Sequence, residues 1–311
     1  MSLKKPKFWD YKKPSLISNL LIPISKIVET SSNLFKSKGR KIDNIKTICI
    51  GNIYLGGTGK TSFAIEIKKI LDKQNIKSCF IKKEYSNQAD EQKLLSKFGK
   101  LFVNKSRLKA LKSANSENYK IAIFDDGLQD NSISYDLTFV CFNKKNFIGN
   151  GRIIPAGPLR EPLKNLENYT NVVFNGNNEN DKNLKKILNL NHSNLNFYET
   201  KYQPLNLEEF DLEKKFIVFS GIGNHQTYID MLKINNFKII QDLEFSDHYN
   251  FKQIDIEKIV KLAFKNNAQI LTTEKDYLRL SKKMQIGINY IKVNLKISNI
   301  EELKKKLIEL I

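Results

Sequence analysis

Thr47-Ile48-Cys49-Ile50-Gly51-Asn52, then Gly56-Gly57-Thr58-Gly59-Lys60-Thr61, then Phe63-Ala64-Ile65-Glu66-Ile67, is the stretch whose reading decides the fold. An apolar, β-branched run stops at the glycines, and apolar residues at 63, 64, 67, 70 and 71 follow at helical spacing. The order is strand, loop, helix. Glycines let the backbone curl so that successive N–H groups point inward, and the helix N-terminus adds positive potential at the same place. Such a loop cradles phosphates. Tyr54, Leu55, Gly56, Gly57, Thr58, Gly59, Lys60 and Thr61 are expected to line a nucleotide, with Lys60 bridging its β- and γ-phosphates and the Thr61 hydroxyl on Mg²⁺. The pattern G-x-x-x-x-G-K-[ST] puts its first glycine at 54, where this chain has Tyr54, so the loop is a variant P-loop.

Working outward, strand patterns at 46–51, 77–82, 101–103, 120–125, 137–142 and 171–174 alternate with helical patterns at 61–73, 90–98 and 106–115. That alternation predicts an α/β fold, a P-loop NTPase-like, mostly parallel sheet with flanking helices. Residues 175–195 are Asn-rich and polar and read as a surface excursion. A fresh unit begins at Phe216-Ile217-Val218-Phe219, ending at Gly221-Ile222-Gly223, with further strands at 237–241 and 268–272 and a helix at 253–265. The expected organisation is an N-terminal region 1–40, a P-loop domain 41–200, and a second, smaller α/β domain 201–311 that closes over the site.

The chain has 311 residues and a formal net charge of +19, a surface that favours polyanions: nucleic acid, an acidic membrane leaflet or a phosphorylated substrate. Part of that charge reflects a composition rich in Lys, Asn and Ile throughout. Cys49, Cys79 and Cys141 each sit in an apolar run and read as buried, reduced thiols; no Cys or His spacing suggests zinc. Near the N-terminus, Lys4, Lys5, Lys7, Lys12 and Lys13 surround Phe8, Trp9 and Tyr11, and Leu16, Leu20, Ile24, Ile27 and Val28 then form an apolar stripe divided near Pro23. No run of 18 apolar residues and no signal-peptide cleavage pattern is present. This amphipathic helix fits a membrane interface or the protein's own sheet equally well.

Four further groups carry chemistry. Ile121-Ala122-Ile123-Phe124 ends in Asp125-Asp126, where a P-loop protein places its Mg²⁺ partner, and Gly127-Leu128-Gln129 follows. Asp90-Glu91 opens a helical pattern, and Asp247-His248 follows Phe245 in a loop. Gly149-Asn150-Gly151-Arg152 leads to Pro155-Ala156-Gly157-Pro158-Leu159-Arg160-Glu161-Pro162, a stiff cationic segment whose Arg152 and Arg160 suit phosphate charge.

Taken together, these residues resemble the tetraacyldisaccharide 4'-kinase family. The resemblance also runs through Phe219-Ser220-Gly221-Ile222-Gly223 and Thr272-Thr273-Glu274-Lys275-Asp276 and covers most of the chain. It implies ATP and Mg²⁺ as cofactors and a lipid A disaccharide precursor as acceptor. It also implies a peripheral place on the cytoplasmic face of a bacterial inner membrane, with no nucleic acid partner. Residue by residue, Lys60 and Thr61 match the phosphate and Mg²⁺ residues, Asp125 and Asp126 the acidic pair near the metal, and Arg160 and Glu161 polar residues of the cleft. Asp90 matches the catalytic aspartate, which acts with a histidine matching His248; Gln129 belongs to the Asp125-to-Gln129 motif. The chain departs from the family where Lys82-Lys83-Glu84-Tyr85 replaces Ser-Arg-Gly-Tyr, where Gln92 replaces a proline, and where Tyr249 replaces a second histidine.

A membrane-surface ATPase switch of the partitioning type is the alternative, but those loops carry a lysine before the glycines and Leu55 stands here. A GTPase reading lacks the D-x-x-G spacing after Asp126 and an N-K-x-D motif.

Overall fold

The computed structural model describes residues 5–11, 13–34, 39–85, 89–177, 188 and 195–311. Lys4, Lys12, Asn87 and most of the Asn-rich excursion lie outside the described residues. Two short helices, α1 (Leu16–Leu20) and α2 (Ile22–Leu34), precede the first sheet. That sheet takes β1 (Lys46–Gly51), β2 (Ser78–Lys83), β3 (Leu101–Asn104), β4 (Ile121–Asp125), β5 (Leu137–Asn143), β6 (Asn171–Asn175) and β7 (Asn196–Pro204) from the first two thirds of the chain. α3 (Lys60–Lys73), α4 (Ala89–Ser96) and α5 (Arg107–Ser116) connect its early strands. A second lobe contains β8 (Lys215–Ser220), α6 (His225–Ile234), β9 (Lys238–Glu244), α7 (Gln253–Lys265), β10 (Ala268–Thr273), α8 (Glu274–Tyr277) and β11 (Ile288–Ile291). β12 (Val293–Ile297) and α9 (Ile300–Ile308) end the chain.

The large sheet runs β12-β7-β6-β5-β1-β4-β2-β3 and the small one β11-β10-β8-β9. Every pairing is parallel except that of β12 with β7. β1 lies at the centre, and strand order departs from it in both directions, the switch point where open α/β sheets bind ligands. Both faces are buried. Ile48 and Ile50 join Phe63, Ala64 and Ile67 of α3 on one side, while Cys49 joins Cys79, Ala122 and Phe124 on the other. Two-sided burial explains why these strands read as unbroken apolar runs. Burial pushes the Cys79 and Cys141 thiols up to about 12, so neither supplies a thiolate.

The boundary expected at 200/201 moves. β7 runs through it, and β12 pairs antiparallel with β7 from Val293 opposite Pro204 to Ile297 opposite Thr200. Leu295, Ile297, Leu303 and Leu307 pack in the same core as Ile48 and Phe63. The second lobe is therefore residues 205–292, inserted between two adjacent strands of the first. Val293-Asn294-Leu295-Lys296-Ile297 alternates as a strand should, but its partner lies some ninety residues upstream, beyond the reach of local pattern.

α1 and α2 are amphipathic in the inverted sense. The Ser18 hydroxyl donates to Ala156 O (2.6 Å) and the Ser25 hydroxyl to Ile153 O (2.8 Å), whereas Leu16 and Leu20 are 82% and 79% exposed and Ile27 67%. Small polar residues face the protein and large apolar residues face outward. Trp9 is buried, its indole N–H donating to Pro155 O (3.0 Å), so it fastens the segment to the 149–162 loop. Pro23 falls in the first turn of α2, where its missing N–H leaves no helical bond unmade. No described helix is long and apolar enough to cross a membrane.

Candidate active site

The phosphate loop leaves β1 and enters α3 at Gly59, whose φ of +81° and crowded surroundings both require glycine: a Cβ there would lie 2.7 Å from Tyr202 Oη and 2.8 Å from the Asn175 side chain. Asparagines hold the loop. Asn175 Nδ2 donates to Thr58 O (2.5 Å), and Asn52 Nδ2 to Gly56 O (3.1 Å) and Thr58 Oγ1 (3.0 Å). Tyr54 and Leu55, expected among the nucleotide-lining residues, are engaged elsewhere. The buried Tyr54 hydroxyl donates to Asp10 Oδ1 (2.5 Å) beside Lys5, and the Leu55 N–H donates to Pro158 O (2.8 Å). The Tyr54 ring is thereby locked to the N-terminal segment, and the Leu55 N–H is already donated. Gly57 touches the second lobe, since a Cβ on Gly223 would lie 2.6 Å from Gly57 N.

Asp125 and Asp126 end β4 back to back and turn to different partners. Asp125 is buried; its Oδ2 accepts from Thr61 Oγ1 (3.1 Å) and Lys82 Nζ (2.7 Å), while its Oδ1 has no hydrogen-bond partner. Asp126, at φ +64°, accepts from Arg160 Nη1 (3.1 Å) and stands 3.9 Å from Lys60 Nζ. Burial alone would raise its pKa, but Lys60, Arg160, Lys82 and Arg107 hold it below the ordinary value. Arg107 also donates to Asp130 Oδ2 (3.1 Å) and to Asp126 O, fixing the loop. Gln129 links the floor: its Nε2 donates to Asn52 O (3.0 Å) and Glu161 Oε1 (3.2 Å), and its Oε1 accepts from Arg160 (3.1 Å). Glu161 is steadied by Asn165 (3.0 Å) and Tyr169 (3.1 Å). Arg152 does not join this group. Its Nη1 donates to Ser18 Oγ (3.1 Å), placing its charge with α1.

Asp90 and His248 meet across the lobes. His248 Nδ1 lies 3.3 Å from Asp90 Oδ1, and Arg279 Nη2 donates to Asp90 Oδ2 (2.7 Å), with Lys275 Nζ at 3.4 Å. Burial would raise the Asp90 pKa, but the His248 hydrogen bond and the Lys275 and Arg279 charges override it and hold the carboxyl well below its usual range. Its contribution to stability is therefore complete above the unfolded pKa of about 4 and is lost as pH falls below that. The Tm gap between wild type and Asp90→Asn, measured by calorimetry from pH 7 to pH 3, should be largest at pH 7 and begin to narrow below about pH 4, with part of it still present at pH 3. A gap that widens on acidification would contradict this arrangement.

Over residues 17–311 the chain matches the family model described as "Tetraacyldisaccharide-1-P 4'-kinase". The chain belongs to this family. The "Tetraacyldisaccharide 4'-kinase" of Pelagibacter ubique (strain HTCC1062) is 54% identical over 310 residues, covering 100% of this chain and 99% of the relative. That of Rickettsia canadensis (strain McKiel) is 32% identical over 99% of this chain and 97% of its own length. Among solved structures, the "apo" form of LpxK from Aquifex aeolicus in complex with ATP superposes with a TM-score of 0.70 over 95% of this chain and 99% of that one, at 21% identity, a likeness of fold.

Around the 4'-kinase family motifs the structure adds residues that motif reading left without a role. Glu91 accepts from Lys82 (2.7 Å) and Lys275 (2.8 Å), and Arg279 donates to Gly221 O (2.6 Å) and Asp276 Oδ1 (2.7 Å) as well as to Asp90. Lys275 sits inside the Thr272-to-Asp276 motif and Arg279 one helical turn after Lys275, a spacing that does carry a signal. Lys82 stood out only as a departure from the family resemblance, with nothing beside it in sequence to announce its partners.

Proposed function

We propose that this protein transfers the γ-phosphoryl group of ATP to the 4'-hydroxyl of a tetraacylated glucosamine disaccharide 1-phosphate, releasing ADP. The observation that carries this reading is the meeting of Asp90 and His248 beside the phosphate loop and acidic pair, in a chain of the 4'-kinase family. The acceptor oxygen attacks the γ-phosphorus as the bond to the β–γ bridging oxygen breaks, and Asp90 takes the hydroxyl proton. His248 orients that carboxylate through Nδ1. Lys60 and Arg160 hold phosphate charge, and Glu161 and Gln129 keep Arg160 aimed at Asp126. Because Asp90 belongs to the first lobe and His248 to the second, the pair is complete only when the lobes are together, which restrains transfer to water.

The residues present fit a divalent cation. Asp125 Oδ1 is buried without a partner, and the Thr61 hydroxyl is beside the same carboxylate. Among the described residues no cluster of three His, Cys, Asp or Glu side chains is built to hold a metal alone, as suits an ion shared with phosphate oxygens. Thr61 and Asp125 would hold Mg²⁺, which supplies charge neutralisation at the phosphates.

The outward apolar face of α1 and α2, with the basic surface, suits peripheral attachment to an acidic membrane leaflet where a four-chain lipid resides. Leu20→Asp with Ile24→Asp is expected to weaken co-sedimentation with anionic phospholipid vesicles about 10-fold or more. Transfer to detergent-dispersed acceptor should stay within threefold. Unchanged vesicle binding would remove this face from the membrane contact. The reaction itself is tested by mass spectrometry of detergent-dispersed acceptor incubated with Mg-ATP. A product heavier by one phosphate on the 4' position is expected, and its absence with folded protein would sink the assignment.

A further inference from the structure

Lys82 is the most buried lysine of the site, 1% exposed. It is the penultimate residue of β2, beside β4 and one residue past the Ile81–Phe124 pair, which sets its side chain at the level of Asp125. Its ammonium lies 2.7 Å from Asp125 Oδ2 and 2.7 Å from Glu91 Oε2. The other Glu91 oxygen accepts from Lys275, which also faces Asp90. Charges of alternating sign thus run without a gap from Asp125, which accepts from the Thr61 hydroxyl, through Lys82, Glu91 and Lys275 to Asp90.

We propose that Lys82 is a positioning residue for phosphoryl transfer, a resident cation that ties Asp125 to the helix carrying Asp90. The proposal rests on the kinase reading and deepens it. Two consequences follow with opposite signs. Lys82 occupies Asp125 Oδ2 and repels a second cation there, so it weakens Mg²⁺ binding. Through Glu91 it also holds α4 in register with Asp125, so it speeds transfer.

The test uses the full chain as wild type, Lys82→Met, Lys82→Arg, Glu91→Gln and the Lys82→Met/Glu91→Gln double variant. Affinity for a non-hydrolysable ATP analogue is measured across a Mg²⁺ titration, and kcat and KM for ATP are measured on detergent-dispersed acceptor. Lys82→Met is expected to need about fivefold less Mg²⁺ for half-maximal analogue binding while kcat falls about 100-fold with little change in KM. Glu91→Gln should lose kcat comparably without that gain in Mg²⁺ binding, and the double variant should have a kcat no lower than the worse single one. Lys82→Arg should recover part of kcat and keep the wild-type Mg²⁺ requirement. Parallel loss of Mg²⁺ binding and kcat in Lys82→Met, multiplicative effects in the double variant, or Lys82→Arg no better than Met would each overturn the proposal. Should Lys82→Met not fold, Lys82→Arg and Glu91→Gln decide: a Glu91→Gln kcat within threefold of wild type, or Lys82→Arg with an altered Mg²⁺ requirement, overturns it. The binding arm needs no acceptor. A wild type that binds the Mg²⁺ analogue complex but makes no lipid product therefore sinks the kinase reading, and the Mg²⁺ titrations still judge Lys82.

Discussion

Lys60→Ala is expected to lower the rate of lipid phosphorylation by about 10³-fold or more, because it removes the charge that follows the phosphoryl group through the transition state. Lys60 is the first residue of α3, so its backbone N–H and its side chain act at the same end of the helix dipole. The side chain makes only a long contact with Asp126, 3.9 Å, and keeps 15% of its surface. Its removal leaves no short ion pair broken and no core cavity. The fold should survive, with Tm lowered by a few degrees at most, and loss of rate is then a loss of chemistry. Product formation by mass spectrometry together with thermal denaturation separates the two. A folded variant within tenfold of wild type would take Lys60 out of the mechanism.

Asp90→Asn is the second large effect, a fall in kcat of about 10²- to 10⁴-fold from loss of the base. Asn is the right replacement. Truncation to Ala would open a cavity and leave Arg279 with only Asp276 and Lys275 with only Glu91 among the carboxylates they touch, whereas Asn keeps the shape and an acceptor oxygen, so the kinetic result is cleaner. Affinity for an ATP analogue should stay within about threefold, since Asp90 contacts no residue of the phosphate loop among its described partners. Turnover close to wild type would move the base elsewhere, with Glu91, 3.7 Å from His248 Nε2, the next candidate.

The parts of this fold that local pattern could carry were legible. Residues 46–71 read as strand, loop and helix because β1 is buried on both faces and α3 on one, and the helix at 253–265 was read at its true bounds for the same reason. Asp126, Arg160, Glu161 and Gln129 come together because they lie just past the end of a strand and in one stiff loop. What sequence could not carry was pairing at a distance. β12 finds β7 across the whole second lobe, and Lys82 has meaning only once Glu91 and Asp125 flank it. Nor did composition reveal that the serines of α1 and α2 face inward, or that Tyr54 and Trp9 both serve to fasten the N-terminal segment.

β7 and β12 leave the large sheet side by side, and the Leu205 N–H donates to Lys292 O (2.9 Å) where the chain departs and returns. During synthesis, the ribosome must therefore extrude all of residues 205–292 before the strand that covers β7 exists. Until then the nascent nucleotide-binding sheet presents β7 as an open, partnerless edge, the feature most prone to pair with another chain. The inserted lobe is short enough, and local enough in its own contacts, to fold while that edge waits. The order of manufacture is thus written into the topology: phosphate loop early, inserted lobe next, and last the strand that seals the sheet.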